Sequence, residues 1–353
     1  SFRHPDRDKT HGRIWRITAK DRPLAKAPDL SKMTAAELCE QLKSDWRYVR
    51  YQVKRRLADL PKDEIIPAIT KWVDALDQSD PNFEHHLYEA IGVFESHEVV
   101  NRSLLERLLK AKDYRARAYA TRVAGRWHDR LESPLELLDR SVTDSSARVR
   151  LEAVVACSDI HTADSMVVAA KAASRPIDRF TNFALTQTVH ALAPRWRPAL
   201  TQGRLNFENP ASLIYVLRAY GGKDVTGQVR GLIKSEEISA AGRRELLRLL
   251  ARVGTANDLR TVFSHAQNDP ELLQSLPDIA SGRRLVPAGV IHAEMATLLA
   301  NENTGIRAAA ARLAGLWKQR QLIPLLKPFV VSKENAEVRA AAIRSLAELS
   351  PDT

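Results

Sequence analysis

Hydrophobic and polar positions recur at helical spacing through most of the chain. The stretches "DYRARAYATRVAG" from Asp113, "DSSARVRLEAVVA" from Asp144, "NTGIRAAAARLAG" from Asn303 and "NAEVRAAAIRSLA" from Asn335 share one form. A polar residue opens each, and small or apolar residues follow three and four apart, the spacing that lines one face of a helix. "DWRYVRYQVKRRL" from Asp45 repeats it. The opening Asp or Asn predicts an N-cap, because its side chain can accept from the unpaired N–H groups of a helix start. Between these stretches lie "DEIIPAITKWVDAL" (63–76), "SPLELLDRS" (133–141) and "RQLIPLLKPFV" (320–330). Each predicts a partner helix. Pro67 is expected in a first turn, and Ser133 as a cap with Pro134 at the first helical position and Glu136 completing a capping box. Leu322, Leu325, Leu326 and Phe329 are expected to share one face. The first helix is expected near Thr34, where Thr34 and Glu37 have capping-box spacing.

The recurring helices carry an arginine at one register: Arg50, Arg117, Arg150, Arg307 and Arg339. A small or apolar residue stands three positions after each. Arg117 to Arg150 is 33 residues, Arg307 to Arg339 is 32, and Arg50 to Arg117 is 67, about two such steps. A fixed period in this range marks a solenoid, and some 320 residues at about 32 per unit make about ten helix pairs. The middle, "PIDRFTNFALTQTVHAL" (176–192) and "NPASLIYVLRAYGG" (209–222), keeps helical spacing without that arginine, and "SAAGRRELLRLLARVG" (239–254) is a clean helix. Pro194, Pro198, Gly203 and Pro210 predict a soft break near 195–210. Paired helices with an N-cap Asp or Asn and a following Val-Arg or Ile-Arg resemble HEAT repeats. The tetratricopeptide Trp/Tyr pattern and the ankyrin TPLH signature are missing. The expected fold is therefore all-α, a HEAT-like α-solenoid over 31–353 with a short extended segment before it. The resemblance implies that the five arginines bond to acidic residues of neighbouring repeats and order the stack. Beside an Asp-capped turn, an arginine has a partner at hand and needs no ligand.

Residues 1–30 differ. Arg13-Ile14-Trp15-Arg16-Ile17 reads as a short strand, and Pro23 and Pro28 mark a linker after it. The string "HPDRDKTHGRIWRIT", His4 to Thr18, resembles the closing strand of a glucose/sorbosone-dehydrogenase-type propeller. More narrowly, it resembles the junction in planctomycete and verrucomicrobial multidomain proteins, where HEAT-like repeats follow such a propeller and a c-type haem domain follows the repeats. The resemblance implies an exported parent, periplasmic or secreted, whose class of chemistry is sugar or alcohol oxidation. It carries over no catalytic residue. No CxxCH occurs in these residues.

Composition adds one lead. The net charge is +11, with 15 Lys and Arg against 8 Asp and Glu in residues 1–60 and 39 against 35 in the rest. Within that basic end Arg47, Tyr48, Tyr51, Lys54, Arg55 and Arg56 interleave aromatics with cations beside Trp46. Such a cluster can dock an acidic partner or stack bases and hold phosphates. The plainer reading turns Trp46, Val49, Val53 and Leu57 inward and leaves the cations in water. No apolar run approaches the ~18 residues of a membrane span.

Chemistry is thin. HEAT-fold di-iron hydroxylases carry repeated His-Glu pairs. Here there is one, His97-Glu98, expected at the surface near a helix start. His85 and His86 are neighbours and point about 100° apart on a helix. Trp127 and Asp129 of "GRWHDR" raise the alternative of a HEAT-like alkylpurine DNA glycosylase, with Trp127 as a core residue the plainer reading. Cys39 and Cys157 fit no zinc, haem or redox spacing and are expected to be buried. We expect no catalytic, cofactor or metal site, and as partners other domains of the same polypeptide or a protein partner. Nucleic acid is the alternative.

Overall fold

The computed structural model describes residues 26–331 and 333–350, together with scattered positions from His4 to Pro23. All regular structure among the described residues is helical. The chain divides into two compact units, Ser1–Val99 and Val100–Thr353.

The first unit holds α1 (Ala35–Gln41), α2 (Arg47–Ala58), α3 (Lys62–Asp74) and α4 (Phe83–Ser96). Helix α1 starts where expected: the Thr34 side chain accepts from the Glu37 N–H, and Glu37 accepts from the Thr34 N–H at 2.8 Å. Helices α1 and α3 pack together, as do α2 and α4.

The second unit opens with α5 (Arg102–Leu109), α6 (Tyr114–Arg126), α7 (Pro134–Ser141), α8 (Ala147–Asp159), α9 (Ala163–Ala170) and α10 (Arg179–Ala191). It continues with α11 (Ala193–Thr201), α12 (Pro210–Tyr220), α13 (Thr226–Ile233), α14 (Ala240–Val253) and α15 (Ala256–Ala266). It closes with α16 (Pro270–Ser281), α17 (His292–Leu299), α18 (Thr304–Leu316), α19 (Ile323–Leu326) and α20 (Ala336–Leu349). Even-numbered helices form one row, α6 on α8, α8 on α10 and so on to α18 on α20. On the other row α5 packs on α7, α7 on α9 and α9 on α11. Twenty α-helices among the described residues thus make ten pairs, each stacked on the next pair within its unit.

The sequence register explains the stacking. Val53, Ala120, Ala153, Ala310 and Ala342, each three residues after a recurring arginine, are all fully buried. Eight residues after Arg117 and Arg307 stand Gly125 and Gly315, at helix crossings. A Cβ on Gly125 would lie 2.6 Å from the Ala156 Cβ, and one on Gly315 would lie 2.7 Å from the Ser345 Cα. Two residues further on, Trp127 and Trp317 are buried at both junctions.

Several local expectations change. Asp113, Asn303 and Asn335 cap their helices, but Asp45 and Asp144 do not: Trp46 and Ser146 occupy those positions without a side-chain bond. Asp144 instead accepts the Ser146 N–H from two residues back, at 2.8 Å. Ser133 is left-handed (φ 51°) and makes no cap bond, so Pro134 alone sets that start. Helix α3 begins at Lys62, which puts Pro67 in the second turn. Residues 320–330 form not one helix but a 3-10 turn, the four-residue α19 and another 3-10 turn. Pro328 has no N–H to continue the α pattern. The stretch 195–210 lies inside the second unit, where α11 ends at Thr201 and Gly203 turns at φ 68°. Of the expected strand, Arg13 and Arg16 lie outside the described residues. Ile14, Trp15 and Ile17 belong to no regular element and are exposed.

Candidate interaction surfaces

Helix α2 is amphipathic because Val49, Val53 and Leu57 recur every four residues, and all three are buried. The opposite face carries the basic-aromatic cluster. Tyr48 and Tyr51 are 66% and 54% exposed, and Trp46, at 47%, stays outside the core it was expected to join. Arg47, Arg55 and Arg56 are exposed as well, with the Arg55 guanidinium 6.0 Å from the centre of the Tyr51 ring. Lys54 is committed elsewhere. Together with Arg50 (2.9 Å) and His85 (3.2 Å), it holds the buried carboxylate of Glu89 on α4, at 2.8 Å. Burial pushes the His85 pKa down, against the pull of Glu89. Five of the six cluster residues are therefore exposed, Arg47, Tyr48, Tyr51 and Arg55 on one face with Arg56 at its edge, and the sixth pins α2 to α4.

The five recurring arginines share one geometry. Each turns back to a carbonyl of the loop before its own helix, and four also reach the following even-row helix or the turn leading into it. Arg117 donates to the Ala111 carbonyl at 2.8 Å and to both Asp144 oxygens at 2.7 and 2.9 Å. Arg307 donates to the Asn301 carbonyl and, at 2.9 Å, to Glu334. Arg50 does the same with the Ser44 carbonyl and Glu89. Arg150, itself buried, takes the Asp144 carbonyl and reaches the Pro176 carbonyl instead of a carboxylate. Arg339 donates to the Glu334 carbonyl. Burial raises the Asp144 pKa, but Arg117 and the Ser146 N–H outweigh it, and the net shift is downward.

Sequence reasoning missed a second set of such pairs. Arg122–Glu152 and Arg312–Glu348 join α6 to α8 and α18 to α20. In the middle, where the recurring arginine is lost, the pairs are Arg197–Asp224, Arg218–Glu245, Arg230–Asp258, Arg244–Asp269 and Arg260–Glu294. Three of these fall on the odd row, along α11, α13, α15 and α17. A cation followed 25 to 28 residues later by an acid was the available signal in the first four.

The candidates for chemistry occupy structural positions. His97 is not at the surface: it caps the end of α4, is buried and faces the Leu57 carbonyl at 2.9 Å. His86 is buried against Asp80 (3.3 Å) and the Trp72 ring. Trp127 is fully buried while Asp129 stands in water beside Arg130, so the two share no surface. Burial pushes the thiols of Cys39 and Cys157 up to about 12, which keeps them protonated and poor nucleophiles. Among the described residues no group of three or more His, Cys, Asp or Glu could hold a metal ion. No helix among them is long and apolar enough to cross a membrane.

Residues 294–353, the last two helix pairs, match the sequence profile of HEAT repeats. The stacked pairs that precede them have the same architecture. The fold is a HEAT-like α-solenoid. Solved structures agree on that level. The karyopherin Kap121p bound to the extreme C-terminus of the protein phosphatase Cdc14p aligns with a TM-score of 0.52 at 11% identity, over 90% of this chain and 41% of that one. Kap121p alone aligns at 0.51 and 13% identity over the same shares. The chain thus spans about two fifths of the length of these karyopherins. No curated protein sequence matches it.

Proposed function

We propose that this chain is a non-catalytic helical-repeat scaffold that docks an acidic protein surface. That surface belongs to another domain of the same polypeptide or to a separate protein. The observation that carries the reading is the exposed face of α2, where Trp46, Tyr48 and Tyr51 stand in water among Arg47, Arg55 and Arg56. Aromatic residues and arginines are the types enriched where proteins meet, and exposed ones grouped on one helix mark such a place. The resemblance of His4–Thr18 supports a finer form of the reading, a scaffold inside a larger exported, dehydrogenase-like protein. In the same direction, Ile14, Trp15 and Ile17 are exposed apolar side chains that a neighbouring domain would cover.

The test is a photo-crosslinking phenylalanine analogue at Tyr51 of the full-length protein. Crosslinks to an acidic protein segment, lost when Arg47, Arg55 and Arg56 are reversed to Glu, are the expected result. Crosslinks only to nucleic acid, or none, overturn the docking surface. Turnover of a sugar by residues 1–353 alone overturns the non-catalytic part.

A further inference from the structure

The second unit has a cleft of about 480 Å³ along its even row. It opens between the N-terminal parts of α10 and α12 and is closed on one side by Glu245 of α14. Tyr215, only 7% exposed, forms the floor, and its hydroxyl donates to the Asn182 side-chain oxygen at 2.9 Å. Arg218 lies over the Tyr215 ring, 5.4 Å from its centre, and pairs with Glu245 at 3.2 Å. Arg179 lines the opposite wall. It has no carboxylate partner among the described residues and rests on the Phe180 ring at 4.6 Å. Phe180 and Phe183 are 57% and 67% exposed. Residues 179 and 183 are one helical turn apart, so Phe183 shares the face of α10 that carries Arg179.

Among the described residues, Arg179, Phe180 and Phe183 make no ion pair or ring contact with another helix; Arg179 and Phe180 meet only each other, on α10. The neighbouring α10–α12 contact is already held by the Tyr215–Asn182 bond. Two phenylalanines beside an unpaired guanidinium are instead the composition of a contact site. The charge balance narrows the occupant. Arg218 is offset by Glu245, and Asp178 is engaged in capping α10, with the Thr181 N–H at 2.7 Å. One cation is left over at the cleft wall, with Phe183 and Phe180 beside it on α10 outside the cleft lining. A nucleic-acid strand needs a row of cations for its phosphates and would here meet two carboxylates. A peptide needs only one matching charge.

We infer that this cleft binds an extended peptide segment in which an acidic side chain, set on Arg179, is flanked by aromatic or aliphatic side chains packed on Phe180 and Phe183. The inference rests on the scaffold reading and adds a second surface to it, in the other unit. Its test is kept separate from α2. A random dodecapeptide library displayed on phage is selected on the full chain. Enriched peptides are synthesised with a fluorescent label and titrated by anisotropy. The expected consensus holds Asp or Glu within three residues of Phe, Leu, Ile or Trp. Arg179→Glu and Phe183→Ala are each expected to weaken binding roughly tenfold, the size of an interface anchor. Both positions are exposed, so neither substitution disturbs folding. The α2 variant Tyr48→Ala/Tyr51→Ala is expected to leave the affinity unchanged. No enriched family, a consensus without acidic residues, or peptides that respond to the α2 variant and not to Arg179→Glu would each overturn the cleft. The last of these outcomes would leave α2 docking intact. Tight binding of labelled single-stranded DNA that Arg179→Glu abolishes would replace the peptide with nucleic acid.

Discussion

Gly125→Ala and Gly231→Ala are the same change at two helical glycines, and they are expected to act in opposite directions. Alanine is favoured over glycine in a helix by about 1 kcal/mol, because the glycine backbone loses more freedom on folding. At Gly231 in α13 nothing lies within 4 Å of the added carbon, so the full gain is expected. At Gly125 the new Cβ would sit 2.6 Å from the Ala156 Cβ and 3.0 Å from its Cα, which is backbone and cannot rotate away. Pushing α6 off α8 forces a shift like other overpacking changes, about 1–3 kcal/mol. Set against the propensity gain, the net expectation is a loss of up to about 2 kcal/mol. Urea denaturation followed by circular dichroism reads the sign. Hydrogen exchange on α6 and α8 shows whether the loss is local, as the nearest-neighbour energetics of a stacked repeat require. Ala156→Gly opens the same space from the other side. The double variant is expected to be less destabilised than the sum of the single ones, with a coupling of about 1 kcal/mol. A Gly125→Ala protein more stable than the parent, or a double variant that is merely additive, would refute the close approach of α6 and α8.

Arg117→Ala is expected to cost about 2 kcal/mol, since it leaves a largely buried Asp144 without its charged donor; adding Asp144→Ala should recover part of that in a denaturation cycle. Asp258 is held at about 2 by the Arg230 guanidinium first and by the Thr255 N–H and hydroxyl after it. A depressed carboxylate stabilises the fold above its unfolded value of 3.8 and loses that contribution as pH falls toward 2. Asp258→Asn is thus expected to flatten the pH dependence of stability between about pH 4 and pH 2. Cys39 and Cys157 are expected to resist Ellman's reagent at pH 8 in the native protein and to react together with unfolding; rapid native labelling of either would contradict their burial.

What the sequence disclosed and what it hid follow from the range of the forces involved. The 32- to 33-residue period, the capped helix starts and the buried position three after each arginine arise from local spacing, and Ala120, Ala153 and Ala310 show it directly. The Arg117–Asp144 bond was legible because both residues sit at repeat landmarks. Arg230–Asp258 had only its spacing of 28 residues to show it, because the odd-row helices it joins lack the recurring arginine register. Trp46 misled through its size: at a helix start, its side chain belongs to neither face of α2. His97 misled through its neighbour. "His-Glu" suggested a ligand pair, while the chain uses the imidazole against the Leu57 carbonyl. The cleft at Arg179 left no trace in the sequence, since Tyr215, Arg218 and Glu245 meet it only through stacking.

Every arginine–carboxylate pair named above runs the same way, with the arginine on the earlier helix pair and the acid on the later one. Lys171 reaches both ways, back to Asp139 and forward to Glu208. Each helix pair so joined offers an acid behind it and a guanidinium ahead, like a monomer with two unlike ends. Where consecutive joints lie on the same row, as along α11, α13, α15 and α17, units of that kind can be duplicated or removed whole and their new neighbours still match in charge. They cannot be inverted, because two guanidinium ends would then face each other. The stack therefore has a grain, and a gene can lengthen or shorten it most cheaply where neighbouring joints are alike.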